Sequence, residues 1–476
     1  MKNKKYKIKQ HKEDKPMLKK MWESARYVYA PFKRKEIVPQ NSARFASQEA
    51  IKKEIENNGF VKFNQDLKFL LTRKYKFVIV APLLMILLNL SILQKFGSKT
   101  FWRLKLVDLG LRHSSDHKTL TFTWKSWKVL LNIITMLGTL FQLICFLFYT
   151  KVYNILALNA LEFHVESVLL SVLFLHLTKE WPKFAHEWHK AETSISYNSS
   201  CINPKKRICL VATSVLGLAL FEHVVVTSRI TLSSMRREPL SIYNASRDYF
   251  VQYEFQEVFH YIPYSIWAGL FFKLLIVQKT FIWSQIDVFI VAISICMHYK
   301  LRQVSMRLKY LSKTRECNEL IWRLMRQDYV KLTHLCSIVN EKLSCFILIS
   351  FFNNCYHVLS QLFNSLRPSI NDVVHKAYFW LSFLLLILRI AFVCLFGGAI
   401  HEEKEEIVRT LVTDPSISYN IEVERFIEHS VTSEMALTGL NFFRITRGLL
   451  LKITSAIVTY ELVLIQFDQQ EFQRNH

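Results

Sequence analysis

Long apolar runs recur along this chain, and each is close to the length of one bilayer crossing. The clearest runs cover 126–150, 153–178, 208–231, 376–400 and 442–467. A helix needs about 20 mostly apolar residues to cross the hydrocarbon core, because it rises about 1.5 Å per residue. The pattern therefore predicts an all-α polytopic membrane protein.

Three further apolar stretches decide how many crossings there are. Residues 255–300 hold two apolar halves separated only by Lys279 and Thr280, so no loop fits and one long, kinked helix is expected. Residues 335–366 predict a more polar helix. The run at 77–93 either crosses the membrane or dips into it. Without that run, the count is seven spans.

Lysine and arginine are distributed unevenly between the predicted loops. If the run at 77–93 is re-entrant, the segments that share one side of the membrane are 1–125, 179–207, 300–334 and 401–441. These segments hold most of the basic residues, so the positive-inside rule places the N-terminus in the cytoplasm and the C-terminus outside. A crossing at 77–93 would separate the basic tail from the basic loop 94–125, which the rule disfavours.

The predicted elements divide the chain into five parts. These are a basic cytoplasmic N-terminal tail (1–65), a re-entrant helix and cytoplasmic loop (66–125), a ligand-binding bundle of five spans (126–366), spans six and seven with a pore-lining last helix (367–467), and a short extracellular tail (468–476). Asn244 begins an Asn-Ala-Ser sequon in a predicted outer loop and is a candidate glycosylation site. The orientation is opposite to that of a G-protein-coupled receptor.

Composition supports the same class of protein. The 476 residues are 51% hydrophobic, and their net charge of +24 is shared with nucleic-acid binders, but such proteins lack these apolar runs. We therefore expect a lipid bilayer and no nucleic acid around the chain. We find no Gly-rich phosphate loop, no His-Glu-x-x-His and no Asp-rich metal motif, so we expect no catalytic residue, metal or cofactor. A polytopic membrane transferase remains the less favoured alternative.

Polar and ionisable side chains inside the predicted spans lie mostly towards the outer face. Such groups are costly in a bilayer and usually face a cavity or a partner. The candidate ligand-binding residues are Glu162, Glu166, Glu222, His223, Tyr261, Tyr264, Trp267, Asn353, Asn354, Tyr356, Gln361 and Trp380. Aromatic faces with carboxylates and amides suit a polyol ligand. For any one of these residues, a contact between helices is the alternative.

The last helix carries a narrow stripe that is polar except at one position. Lys452, Ser455, Thr459, Val463 and Gln466 recur at intervals of three and four, so they share one face. A stripe of this kind predicts a wall that faces water. Glu461 lies about 200° around the helix from Thr459, and we interpret it as a structural residue and one candidate partner for Arg389 of the sixth span.

The end of this helix also resembles a known family. The string Thr459-Tyr460-Glu461-Leu462-Val463-Leu464-Ile465-Gln466-Phe467 resembles the C-terminal signature of insect gustatory receptors, and its Glu-Leu-Val-Leu resembles the sugar (sweet taste) receptors in particular. Lys179-Glu180-Trp181-Pro182, Glu222-His223 and Asn353-Asn354 resemble the same receptors and occur in the same order. The resemblance covers roughly 120–467.

The resemblance implies a ligand-gated, non-selective cation channel in the plasma membrane of chemosensory neurons. It implies a homo- or hetero-tetramer of related subunits, a mono- or disaccharide ligand, a gate at Val463 and a polar ring at Gln466, with Thr459 also lining the pore. Two departures leave the ligand open to another polar tastant: Asn64 where the family has His, and an acidic second span. A non-conducting co-subunit and a G-protein-coupled-type taste receptor are the alternatives.

Overall fold

The structure, a computed structural model, describes part of the 476-residue chain. The described residues are 111–113, 120–125, 127–151, 155–195, 204–235, 246–315, 317–365, 373–414, 417 and 420–474. The predicted tail at 1–65, the run at 77–93 and the sequon at Asn244 lie outside these residues.

The described elements are nine helices, one π-helical turn and two small antiparallel hairpins. In chain order they are β1 Leu111–His113, β2 Leu120–Phe122, α1 Trp127–Tyr149, α2 Ile155–Ser194, α3 Lys205–Met235, the π-helical turn Tyr249–Glu254, α4 Gln256–Phe259, α5 Ile266–Lys313, α6 Glu319–Ser365, α7 Val373–Thr413, α8 Ile421–Thr432, β3 Thr438–Gly439, β4 Phe443–Arg444 and α9 Arg447–Arg474. The hairpins pair Leu111 with Phe122 and Thr438 with Arg444, and the sequence pattern predicted neither.

Six described helices are long and apolar enough to cross a membrane: α1, α2, α3, α5, α6 and α7. Large apolar side chains of α1 are exposed along its length, including Leu130 at 58%, Leu137 at 55% and Phe148 at 75%, as expected for a lipid-facing helix. The chain is a multi-pass membrane protein. The last helix, α9, has 28 residues but is not among these six, so the count of seven spans stays a prediction.

The central helix of the bundle is α5. It continues through Lys279 and Thr280 without interruption for 48 residues, which confirms the expectation of a single helix. At the helical rise it is about 72 Å long, more than twice the hydrocarbon thickness. It contacts α1, α2, α3, α6 and α7, and 72% of its most apolar window is buried. The polar residues of the neighbouring helices therefore meet around it.

At the end opposite the predicted outer face, a short helix and a hairpin pack against α6. The amide of Asn340 on α6 donates to Ala436 O at 2.7 Å and accepts from Thr438 N at 3.0 Å, which anchors β3. The side chain of Asn420 accepts from Val423 N at 2.9 Å and caps the start of α8. This unit begins the path of the chain into α9.

One buried carboxylate fastens α8 to α6. Glu422 is 1% exposed and pairs with Arg326 at 2.9 Å and Arg425 at 2.8 Å. Burial opposes its ionisation, but the hydrogen bonds from these two guanidinium groups outweigh that effect. The pKa of Glu422 is therefore held below its ordinary value of 4.5.

The last helix begins five residues later than the predicted 442. Leu440 and Asn441 adopt positive φ values of 47° and 62°, which makes the turn into β4 and postpones the helix. The hydroxyl of Thr446 then accepts from Leu449 N at 3.2 Å, so it caps the first turn of α9. The helix continues to Arg474, through most of the segment 468–476 that we expected to be a tail.

Candidate ligand site and the exposed face of the last helix

Polar side chains from five helices meet inside the bundle. We call this set the inter-helix polar cluster. Its members are Glu162 and Glu166 of α2, Glu222 of α3, Trp283 and Asp287 of α5, Asn353, Asn354, His357 and Gln361 of α6, and Ser382 and Arg389 of α7. Six of these eleven residues were candidates from the sequence. The long helices bring them together although they are up to 227 positions apart, from Glu162 to Arg389.

One end of the cluster ties α3, α6 and α7 together. The Gln361 amide donates to Ser382 Oγ at 2.9 Å, and the Ser382 hydroxyl donates to a Glu222 carboxylate oxygen at 2.5 Å. This chain of hydrogen bonds ends in a carboxylate, which makes its last link charge-assisted. Movement of any one of the three helices would therefore disturb the other two.

A second part of the cluster joins α2 to α6. His357 Nε2 lies 3.1 Å from Glu162 Oε2, but the angle does not complete a hydrogen bond. The His357 ring packs on Trp283 with ring centroids 4.9 Å apart. Nearby, the hydroxyls of Tyr356 and Ser360 both donate to Asn159 Oδ1 at 2.9 Å. The hydroxyl of Tyr356, a candidate ligand residue, is thus hydrogen-bonded to α2.

The centre of the cluster is Asp287, which is 2% exposed. It accepts hydrogen bonds from Ser350 Oγ at 2.5 Å and from the Asn354 amide at 3.4 Å. Arg389 donates to Ser284 Oγ at 2.9 Å, and its guanidinium carbon lies 4.4 Å from the centre of the Trp283 ring. Arg389 therefore contacts α5, and no ion pair with its candidate partner Glu461 of α9 is present among the described residues.

The cluster concentrates buried polar atoms that have no hydrogen-bond partner among the described residues. They are Glu162 Oε2, Glu166 Oε1, Trp283 Nε1, Asn353 Nδ2 and Oδ1, Asn354 Oδ1, His357 Nε2, Gln361 Oε1 and Arg389 Nη1. Each such group destabilises the fold by about 1–3 kcal/mol, and folded proteins usually keep only a few of them. Their donors and acceptors could be satisfied by the hydroxyl groups of a polyol.

Other candidate residues lie away from the cluster. Trp267 is 79% exposed, Trp380 is 66% exposed and Tyr261 is 49% exposed, so the structure does not bring these rings to the buried polar atoms. The Tyr264 hydroxyl shares a hydrogen bond of 2.9 Å with Ser246 Oγ. These four side chains lie near the predicted outer end of the bundle.

A separate buried network surrounds Lys273 of α5. Its ammonium group pairs with Glu254 and donates to Tyr249 Oη at 3.0 Å and to Thr227 Oγ1 at 3.4 Å. His223, a candidate ligand residue that is 6% exposed, lies one turn before Thr227 on α3. It therefore belongs beside the lysine network.

Two deeply buried charged residues of α5 are not among the candidates from the sequence. Lys279 is 2% exposed, and its ammonium group donates to Gln142 Oε1 at 2.6 Å and lies 2.7 Å from His164 Nδ1. Asp287 interrupts the apolar run that follows it. A single charge in an apolar run is itself a signal, because charges within a bilayer face the protein interior and pair. In the sequence pattern, Lys279 separates the two apolar halves of 255–300, and Asp287 lies within the second half.

The stripe on α9 faces away from the rest of the subunit. Lys452, Ser455, Thr459 and Val463 help to line an open surface cavity of about 770 Å³, and Gln466 is also exposed. The opposite side of α9 contributes partly buried side chains to the core: Leu449, Leu450, Ile453 and Ile457. The stripe is therefore free to contact water or another subunit.

Comparison with known proteins gives related receptors. The family described as "Trehalose receptor" matches residues 108–476. The Drosophila melanogaster "Gustatory receptor for sugar taste 64a" is 33% identical over 372 residues, which are 76% of this chain and 80% of that receptor. "Gustatory receptor 5a for trehalose" from the same species is 29% identical over 364 residues, or 75% of this chain and 80% of that receptor.

Solved structures show a similar fold. The insect olfactory receptor OR5 from Machilis hrabei, solved in complex with eugenol, aligns with a TM-score of 0.55 and 15% sequence identity. The alignment covers 76% of this chain and 96% of that receptor. The expected helical membrane fold of the gustatory and odorant receptors is confirmed.

Proposed function

The chain belongs to the trehalose receptor family, which includes sugar gustatory receptors, and from that membership we propose that it is a sugar-gated cation channel. The membership confirms the resemblance seen in the last helix, and the chain is a receptor and not an enzyme. The channel activity, the sugar ligand and a position in the plasma membrane of chemosensory neurons are parts of this proposal.

The observation that carries the ligand assignment is the concentration of unsatisfied polar atoms in the inter-helix polar cluster. A sugar offers many hydroxyl groups, each of which donates and accepts, so it can satisfy amides and carboxylates together. Relatives whose names include sugar taste and trehalose support a mono- or disaccharide as the ligand.

The exposed face of α9 supports the channel assignment. A polar stripe on a membrane helix is costly against lipid, but it is favourable around a shared aqueous axis. We propose that four subunits, identical or related, place Thr459 and Val463 around that axis, with Gln466 outside them. Val463 would then form an aliphatic constriction that opens by wetting.

A route from ligand to gate follows from the helix contacts. Ser382 and Arg389 lie on α7, Gln361 lies on α6, and α9 packs on both of these helices. A sugar that binds the cluster more tightly in the open state would shift α6 and α7 and, through them, α9. The ligand acts only through that difference in affinity.

The proposal is tested by expressing the chain alone in a heterologous cell and recording current during a panel of sugars that includes trehalose. G-protein signalling is blocked so that only direct gating is measured. We expect a cation current for at least one sugar. A chain that reaches the surface but passes no current with any sugar is not a stand-alone channel. Current only after co-expression of a related receptor would instead support the co-subunit alternative.

A further inference from the structure

A second cavity lies at the end of the bundle that we place in the cytoplasm. It has a volume of about 900 Å³ and is bounded by α3, α5, α7 and the first residue of α9. None of its described lining residues belongs to the inter-helix polar cluster, whose nearest member on α7, Arg389, lies 13 residues, or about 20 Å, before Glu402. The cavity is therefore a different site from the proposed sugar site.

The wall of this cavity changes character along α7. Phe392, Leu395 and Phe396 line the part nearer the membrane centre, and charged residues from Glu402 to Arg409 line the part nearer the cytoplasm. Leu395 is 42% exposed, so the apolar part is continuous with the lipid-facing surface. The lined stretch of α7 is about 25 Å long at the helical rise, which suits an amphiphilic molecule that lies along the helix.

Three of the four carboxylates of the cavity pair with an arginine or a lysine, and among the described residues Glu403 has only the His298 ring near it. Their closest pairs are Glu402 with Arg447 at 2.9 Å, Glu403 with His298 at 3.9 Å, Glu405 with Lys404 at 3.1 Å, and Glu406 with Lys309 at 2.8 Å and Arg409 at 3.1 Å. The acidic side chains therefore do not make the cavity a site for a cation.

Two guanidinium groups that line the cavity do not pair with these carboxylates. Among the described residues, neither Arg207 nor Arg302 has a carboxylate within ion-pair distance, although both line the cavity. The Arg207 guanidinium carbon lies 5.2 Å from the centre of the Phe396 ring, so it sits at the border between the apolar and the charged part. The local charge that remains after pairing is positive.

We propose that this cavity binds the phosphate headgroup of an anionic phospholipid from the inner leaflet. Arg207 and Arg302 would hold the phosphate oxygens, because a guanidinium group presents paired donors in the geometry that phosphate accepts. The glycerol and acyl part would follow Phe392 and Phe396 towards the membrane centre. Arg447 begins α9 and lines the same cavity, so the lipid contacts the helix that carries the proposed pore.

Binding is tested with the full chain purified in a neutral detergent, using a fluorescent short-chain phosphatidylinositol bisphosphate and anisotropy as the readout. This measurement needs neither a sugar nor a current, so its failure is distinct from failure of the proposed function. The variant is Arg207→Gln with Arg302→Gln. The control is Lys313→Gln, which removes one positive charge from an exposed residue at the end of α5, outside the cavity.

We expect the double variant to weaken lipid binding at least tenfold, since two charge-assisted hydrogen-bonding groups are lost, and the control to leave it unchanged. Both arginines are exposed, so a thermal melt should match the wild type and report an intact fold. Equal affinity in all three proteins would overturn the proposal, and so would an equal loss in the control, which would indicate only general attraction between charges. Free inositol trisphosphate that binds as tightly as the lipid would overturn the membrane source.

Discussion

Replacing Asn353 by leucine should stabilise the protein while weakening its response to sugar. Asn353 is fully buried on α6 beside the carboxyl group of Glu166, and neither its amide nitrogen nor its amide oxygen makes a hydrogen bond of ordinary geometry with a described residue. Burying an amide without a partner destabilises a fold by about 1–3 kcal/mol. Leucine has a similar size and no polar atom, so Asn353→Leu should raise the stability by about that amount.

The same change should reduce the potency of the sugar. If the Asn353 amide makes two hydrogen bonds to sugar hydroxyls, at about 1 kcal/mol each, their loss raises the half-maximal concentration roughly 30-fold. Thermal unfolding of the purified protein measures the first effect, and a rise of roughly 1–4 °C is expected. Sugar dose–response curves measure the second.

A matched control is Asn159→Leu on α2. The Asn159 oxygen accepts two hydrogen bonds at 2.9 Å, from Tyr356 and Ser360, so its loss should lower the melting temperature. If Asn353→Leu also lowers the melting temperature, the amide is a contact between helices. If it raises the melting temperature and leaves the sugar potency unchanged, Asn353 is not part of the sugar site.

Three further changes test the fold around the site. In Gly439→Ala, the new Cβ would lie 2.5 Å from the Phe443 ring, so we expect the free energy of unfolding to fall by about 1–3 kcal/mol. The measurement is surface expression, which should decrease, and normal expression would refute the close contact. Because the pKa of Glu422 is lowered in the folded protein, its ionised carboxylate stabilises the fold above pH 4.5, and this stabilisation is lost as the pH falls through the folded pKa. Glu422→Gln should therefore have a lower melting temperature than the wild type at neutral pH, and the two melting temperatures should converge in acid. A difference in melting temperature that does not change with pH would contradict the ion pairs. Ser382→Ala removes the link between α6 and Glu222, and we expect weaker sugar gating at unchanged unitary conductance; a changed conductance would place this serine in the pore.

The sequence was sufficient for the long helices and for the face of the last one. Length and hydropathy locate α1 to within one residue at each end, but α5 and α7 each continue 13 residues beyond the predicted ends at 300 and 400, and α6 begins 16 residues before 335. The apolar pattern is weaker in these helix extensions, because a helix outside the bilayer buries only part of its surface. The start of α9 was missed because it depends on two positive φ values and on the Thr446 cap.

The site was only partly predictable. Glu222, Asn354 and Gln361 were identified because polar residues are rare in membrane spans. Which of them converge depends on how the helices rotate about α5, and that information is in the packing of side chains 60 or more positions apart, such as Asp287 and Ser350. The aromatic residues Trp267 and Trp380 fitted a sugar by their chemistry, but the helix rotation exposes them.

The most direct test of the proposed channel is the reaction of single cysteines on α9 with a charged, membrane-impermeant thiol reagent during sugar application. Gln466→Cys lies on the exposed stripe, and Glu461→Cys lies about 140° away around the helix. The wild type, with its own free cysteines, gives the background. We expect the reagent to block the sugar current of Gln466→Cys and to spare that of Glu461→Cys. Block of Glu461→Cys alone, or of neither variant, would contradict a pore lined by this face of α9.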